Sequence, residues 1–153
     1  LPTLAANTEF EIRPAAAADL DAVIHLDTQI TAMPKVEYWH GIFERFGRRE
    51  TDGFFLVATS GEGVLGFVVG EIRAWEFGSD PCGWIFAIEV SPDLRMNKVG
   101  TALYAALCAN FRKAGVSRIR TMLARDAQLV MQFFRSQGMM AGPFIQLEKE
   151  LDE

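Results

Sequence analysis

Between Ile85 and Leu103 the chain changes character twice. An apolar, β-branched run ending at Val90 passes through Ser91-Pro92-Asp93-Leu94-Arg95-Met96-Asn97-Lys98 and enters Val99-Gly100-Thr101-Ala102-Leu103, where apolar residues begin to recur at helical spacing. The first N–H groups of a helix have no acceptor inside it, and they lie at the positive end of its dipole. A helix starting near Val99 therefore offers an anion site along Val99 to Ala102. Gly100 lets a bulky anion approach the backbone with no Cβ in the way. Asn97 tolerates the left-handed torsions that anion-cradling loops use. Arg95 and Lys98 add Coulomb attraction. The chemistry this spacing predicts is the binding of a di- or triphosphorylated group. Taken alone, the same residues also fit an ordinary strand–loop–helix connection with exposed cations.

A second glycine pattern, Gly61-Glu62-Gly63-Val64-Leu65-Gly66, matches the dinucleotide fingerprint in letters only. That fingerprint needs a helix opening at its last glycine. Here Phe67-Val68-Val69 follows, which starts a strand, so the glycines read as a hairpin turn.

The elements that must position the anion site follow from periodicity. A short strand runs from Glu9 to Arg13 and stops at Pro14; Asp19 then caps a helix bearing Leu20, Val23, Ile24 and Leu26. Pro34 opens a second helix with Tyr38, Trp39, Ile42, Phe43 and Phe46. Phe54–Ala58, Val64–Arg73 and Gly83–Val90 read as an antiparallel meander with turns at Ser60–Gly63 and Gly78–Pro81. Val99, Leu103, Leu107 and Phe111 mark a third helix, stopped by Gly115. Ile119, Thr121 and Leu123 alternate as a strand. Leu129, Val130, Phe133 and Phe134 mark a last helix closed by Gly138, and Ile145, Leu147 and Leu151 a final strand. The order β-α-α-β-β-β-α-β-α-β is an α/β fold with a mixed, mostly antiparallel sheet and helices on both faces. With no linker or repeat, residues 1–153 are expected to form one domain.

Composition narrows the partners. The chain has 153 residues, half of them apolar, and a formal net charge of −5. An acidic balance argues against a sequence-blind nucleic-acid binder, which needs a basic face. It suits a cationic small molecule or peptide. No apolar run is long enough to span a bilayer. Leu1–Phe10 lacks a secretory-signal pattern, and Cys82 and Cys108 have no paired spacing, so a cytoplasmic setting with two reduced thiols is expected. His25 and His40 are the only histidines, too little to build a metal site.

With these residues in place, the sequence resembles the GCN5-related N-acetyltransferase (GNAT) superfamily nearly end to end. Glu11-Ile12-Arg13-Pro14-Ala15 and the helix after it are similar to the family's opening. Val90-x-Pro92-x-x-Arg95-x-x-x-Val99-Gly100 resembles its acyl-CoA motif, Arg/Gln-x-x-Gly-x-Gly/Ala. Phe133-Phe134-x-x-x-Gly138-Met139 resembles its second signature, and Phe144–Lys149 its last strand. The resemblance implies acetyl-CoA as co-substrate, with its pyrophosphate on backbone amides of Arg95, Met96, Asn97, Lys98, Val99, Gly100 and Thr101. It further implies that the pantetheine arm pairs with the main chain at Ile88 and Val90 and packs on Phe134. The strand ending at Val90 then splays from the one at Ile119. A primary amine, of a small molecule or of a peptide or protein, attacks the thioester there.

Three departures bear on mechanism. Lys98 stands where the motif has its first Gly: either the loop avoids the left-handed torsion, or the ammonium offsets its cost by meeting a phosphate. Phe134 stands where many members carry the tyrosine that protonates the leaving thiolate. Water suffices for a thiol of ordinary acidity, with Tyr104 as a substitute donor. Trp84 and Phe86 stand where members often have a base. That leaves Glu89, re-aimed by a bulge, then Glu71 on the neighbouring strand, or water alone. Among the aromatics, Trp75 near a hairpin tip is the candidate contact for an acceptor or for the second copy of a homodimer. A non-catalytic acyl-CoA-binding regulator is the alternative these departures leave open.

Overall fold

Period-two segments build one sheet in the middle of the chain, as its alternation demands. The strands are β1 (Glu11–Pro14), β2 (Gly53–Ser60), β3 (Gly63–Arg73), β4 (Cys82–Val90) and β5 (Ile119–Thr121), in that spatial order. The first three pairings are antiparallel and β4–β5 is parallel. This computed structural model describes residues 9–47, 52–94 and 98–152. It divides into two units, Leu1–Met122 and Leu123–Glu153.

In the first unit, Ser60 pairs with Gly63 across the β2–β3 hairpin, and Gly66 lies inside β3. The dinucleotide-like glycines are thus a turn and a strand. One face of the sheet, with Phe55, Val57, Phe67 and Val69, packs on helices α1 (Leu20–Thr31) and α2 (Val36–Phe46) through Val23, Leu26, Trp39, Ile42 and Phe46. The other face receives α3 (Val99–Lys113), which buries Val99, Leu103, Leu107 and Phe111, the four-residue stripe read from the sequence. Gly115 ends that helix region at a φ of 85°.

Asp19 departs from its expected role. A 3₁₀ turn at Ala17–Asp19 precedes α1, and the Asp19 carboxylate faces backwards, accepting the Ala16 N–H at 2.7 Å and two Arg13 hydrogen bonds at 2.7 and 2.9 Å. It ties β1 to the helix start instead of capping α1. The Arg13 guanidinium holds its carboxyl below the usual range.

The second unit contains α4 (Gln128–Ser136), closed by Gly138 at a φ of 92°. The final strand expected at Phe144–Lys149 is absent: residues 139–152 form no strand, and Ile145, Leu147 and Leu151 are 83%, 86% and 89% exposed. Alternation specifies two faces of a strand but supplies no neighbour to hydrogen-bond.

The seating of α3 depends on glycine in the strands beneath it. A Cβ at Gly83 would sit 2.5 Å from the ring of Phe111, which is 1% exposed and has no room to retreat. Gly83→Ala is therefore expected to destabilise the fold by about 1–3 kcal/mol, read as a lower Tm or urea midpoint. An unchanged midpoint would show that α3 is not held against this part of β4.

Candidate active site

One irregularity decides which way β4 faces. Val69 pairs with Ala87 and Gly70 with Ile85, leaving Phe86 without an opposite residue. This is a β-bulge. Directly opposed residues share a face of the sheet. Glu89, Ala87 and Trp84 therefore lie with Phe67, Val69 and Glu71 on the α1/α2 side, while Ile88, Ile85 and Gly83 lie on the α3 side. Unbroken alternation would have put Glu89 beside Ile85 and Gly83, under α3.

The main chain follows the same count. Ser91 N–H donates to the Leu65 carbonyl at 2.8 Å, on the β3 side. On the other side Gly83 N–H donates to the Arg118 carbonyl and Thr121 Oγ1 to the Ile85 carbonyl. Alternation then turns the N–H and C=O groups of Ile88 and Val90 away from β3. There β5 has already stopped, since its pairing covers only Gly83–Ile85. Ile88 and Val90 thus present backbone hydrogen-bonding groups along an edge that, among the described residues, no strand of this sheet occupies.

On the α1/α2 face, Glu89 meets a buried charged cluster. Asp27 of α1 is 2% exposed and accepts Trp39 Nε1 at 2.9 Å and Lys35 Nζ at 3.1 Å. Glu89 lies on the same face as Phe67, on which the Trp39 ring packs at 5.1 Å, and its carboxyl and that of Asp27 shift each other's hold on a proton. Glu89 Oε2 is sealed from solvent and receives no N–H or O–H from the protein. Burial first, then the hydrogen bond and charge of Asp27, push the Glu89 carboxyl up to about 8, against the pull of Lys35. Burial acts on Asp27 in the same sense, but the hydrogen bonds from Trp39, Glu89 and Lys35 outweigh it and hold Asp27 below its ordinary value. The pair carries one proton near neutrality, and it resides on Glu89.

Glu71 is held elsewhere. Its partner on β4 is Trp84, whereas that of Glu89 is Phe67; four residues along β3 separate the two carboxylates by about 13 Å. Glu71 is engaged by Arg73 Nε at 3.0 Å and Arg45 at 3.8 Å, and it lines an open cleft of about 560 Å³ with Arg45, Phe46 and Asp52. Arg73 stacks over Trp84 and Phe86 beside it.

At the start of α3, Lys98 is exposed and adopts φ 62° and ψ 15°. The backbone does take the left-handed torsion, at a cost on the order of 1–2 kcal/mol for a non-glycine residue. Ala102 N–H donates to the Lys98 carbonyl at 3.0 Å. Arg95, Met96 and Asn97 lie outside the described residues. Phe134 lies in the second unit, buried, edge-on to Phe133 at 5.4 Å. Tyr104, expected as a substitute donor, is a buried residue: burial and its contact with Cys108 push its phenol up to about 12.

Asp27 and Lys35 were missed from the sequence, though a signal existed. Leu20, Val23, Ile24 and Asp27 occupy i, i+3, i+4 and i+7, so Asp27 is a carboxylate on the core-facing stripe of α1. Lys35 is an unusual residue at a helix N-cap, where the dipole disfavours a cation.

The profile of the acetyltransferase (GNAT) family matches residues 20–139. Among curated protein sequences none matches. Of the similar solved structures, aminoglycoside N-acetyltransferase AAC(6')-Iy in complex with CoA superposes with a TM-score of 0.81 at 16% identity, over 94% of this chain and 96% of that one. The aminoglycoside 6'-N-acetyltransferase AAC(6')-Ih from Acinetobacter baumannii gives 0.79 at 14%, over 94% and 100%. An acetyltransferase from Trypanosoma brucei gives 0.73 at 22%, again over 94% and 100%. The five-stranded, mostly antiparallel sheet with its four helices matches the fold of these neighbours. The chain belongs to the acetyltransferase (GNAT) family, and it is an acetyltransferase.

Proposed function

We propose that the enzyme transfers acetyl from acetyl-CoA to a primary amine, with Glu89 as the base that prepares the amine. Acetyl-CoA lies along the vacated edge of β4, its pantetheine amides paired with Ile88 and Val90 and its diphosphate on the amides around Lys98 to Thr101. The reading takes residues 1–153 as one acyltransferase domain. The observation that carries this reading is the half-buried Glu89 carboxyl beside that edge, turned to the α1/α2 side by the bulge at Phe86.

An alkyl ammonium has a pKa near 10.4 and cannot attack until it loses a proton. Glu89 takes one as carboxylate. The nitrogen then attacks the thioester carbonyl, a C–N bond forms, the C–S bond breaks, and the nitrogen sheds a second proton. One of the two protons ends on the CoA sulfur and the other in water. A neutral Glu89 carboxyl near 8 is close in strength to a thiol at about 8.5, so it can hand its proton to sulfur without the phenol that Phe134 replaces. Aminoglycoside acetyltransferases among the fold neighbours and the acidic balance of this chain both favour a cationic acceptor. The same reading takes the enzyme as a cytoplasmic homodimer, with exposed Trp75 and Phe77 of the β3–β4 turn as contact residues.

Thiol release from acetyl-CoA across a panel of amines tests the reading. Glu89→Gln is expected to lower kcat/KM by roughly 10²–10⁴-fold, and undiminished turnover would exclude Glu89 as base. The wild-type rate should climb with pH to a midpoint near 8.

Lys98→Gly separates backbone strain from charge. Glycine adopts the left-handed torsion freely, so the unliganded protein should gain roughly 1 kcal/mol. Affinity for CoA should nonetheless fall, because the ammonium is lost. Equal or tighter CoA binding by calorimetry would show that Lys98 does not meet a phosphate.

Stability provides a third check. Glu89 is raised, so its contribution is complete below about 4.5 and is lost as pH rises through about 8. Glutamine at position 89 can donate to Asp27 at every pH. Glu89→Gln should therefore match the wild-type Tm in weak acid and exceed it near pH 8; parallel Tm curves would contradict the shared proton.

A further inference from the structure

We propose that Asp27 is a positioning residue for acetyl transfer: clamped by Trp39 and Lys35, it holds the Glu89 carboxyl by a shared proton and so sets when Glu89 can act as a base. The inference rests on Glu89 being that base, but it concerns a different residue on a different element. Asp27 cannot be a catalytic residue itself. It is 2% exposed, and its Oδ2 is already occupied by Trp39 Nε1 at 2.9 Å and Lys35 Nζ at 3.1 Å. Those two donors fix the carboxylate in place and keep it ionised.

Glu89 Oε2 is buried with no donor from the protein, and Glu89 shares its face of the sheet with Phe67, on which Trp39, the donor to Asp27, packs at 5.1 Å. A protonated Glu89 satisfies both groups. An ionised one faces a fixed negative charge in a desolvated setting. Among the described residues, the charged groups that act on Glu89 are Asp27 from α1 and Lys35 from the start of α2; its β3 partner, Phe67, does not titrate. His25 and His40, on the same two helices, are exposed. Two groups of opposite sign thus govern the base: Asp27 retains its proton and Lys35 draws it away.

The step balances without any further reactant. When the acceptor ammonium enters, its positive charge joins that of Lys35 beside the pair. The Glu89 proton leaves to water and the carboxylate forms, and the ammonium proton then moves to it. The pair ends with the single proton it began with.

The test measures the pH dependence of kcat/KM and of Tm for the wild type, Asp27→Asn, Lys35→Met and Glu89→Gln. Asparagine keeps an oxygen for Trp39 and turns an N–H to Glu89, favouring its ionised form. Asp27→Asn should move the rising limb of the rate profile to lower pH by roughly one unit or more and flatten the fall in Tm between about 4.5 and about 8. Lys35→Met should move the limb the other way, a reversal that general loosening of the fold does not produce. If Glu89→Gln is inactive while both other variants keep the wild-type midpoint, the role of Asp27 is overturned and the base assignment stands. If Glu89→Gln retains the wild-type rate, the base assignment itself falls.

Discussion

Phe86 has no partner on β3, and the rest of the site depends on that single extra residue. A strand alternates its side chains with period two, so one unpaired residue exchanges the faces of everything beyond it. Before the bulge, Gly83 and Ile85 lie under α3 and their main chain serves β5. After it, Glu89 lies on the opposite face, and the main chain of Ile88 and Val90 addresses the same edge that β5 has left. A regular β4 would turn Glu89 towards the buried stripe of Val99, Leu103, Leu107 and Phe111 on α3. The bulge thus coordinates two requirements: a hydrogen-bonding edge for an extended ligand, and a carboxyl on the side reached by α1 and α2.

The cluster that receives Glu89 makes little sense as a source of stability. Burying charges costs several kcal/mol per ion, and well-packed apolar residues often do as well or better. Asp27 occupies a position on α1 where leucine would continue the stripe of Leu20, Val23 and Ile24. Lys35 stands at the N-cap of α2 against the helix dipole and makes no side-chain cap. Each is unfavourable where it sits and is accounted for by the other: the ammonium meets Asp27, and Asp27 meets Trp39, Lys35 and Glu89. By contrast, Arg13–Asp19 also joins two elements, but there the cation and the carboxylate stabilise each other's charged form, and the Asp19 carboxyl lies below its ordinary value.

Much of this fold was legible because period decides element type. The stripe at Val99, Leu103, Leu107 and Phe111 could bury only as a helix, and Gly61-Glu62 between two β-branched runs could only turn. The features that escaped are those that period cannot encode. A bulge changes parity without changing composition, so the face of Glu89 could be suspected but not located. Asp27 was hidden because a stripe is read from its apolar members, and the lone carboxylate in it was passed over. Ile145, Leu147 and Leu151 alternate as a strand would, yet alternation supplies no hydrogen-bonding partner, and residues 139–152 form no strand. Glu71 and Glu89 look equivalent as strand carboxylates; only the structure shows that one is met by two arginines and that burial beside Asp27 raises the other.

Backbone strain has a similar distribution to the buried charge. Four non-glycine residues among those described hold a positive φ: Ala32, Trp75, Phe77 and Lys98. Trp75 and Phe77 shape the turn entering β4, and Lys98 closes the loop leaving it. Such torsions persist only where their surroundings impose them, and they concentrate where a fold carries function. The remaining one of the four, Ala32, ends α1. β4 therefore sits between two strained connections, contains the bulge, bears the buried carboxyl with no donor, and lies along the sheet's vacated edge. Local preference is satisfied almost everywhere else, in the α3 stripe, the glycine stops and the β2–β3 hairpin, and it is violated repeatedly along this one strand and its flanks. That concentration is what a scaffold built to hold one reactive edge would produce, since a fold strained only by chance would scatter its exceptions.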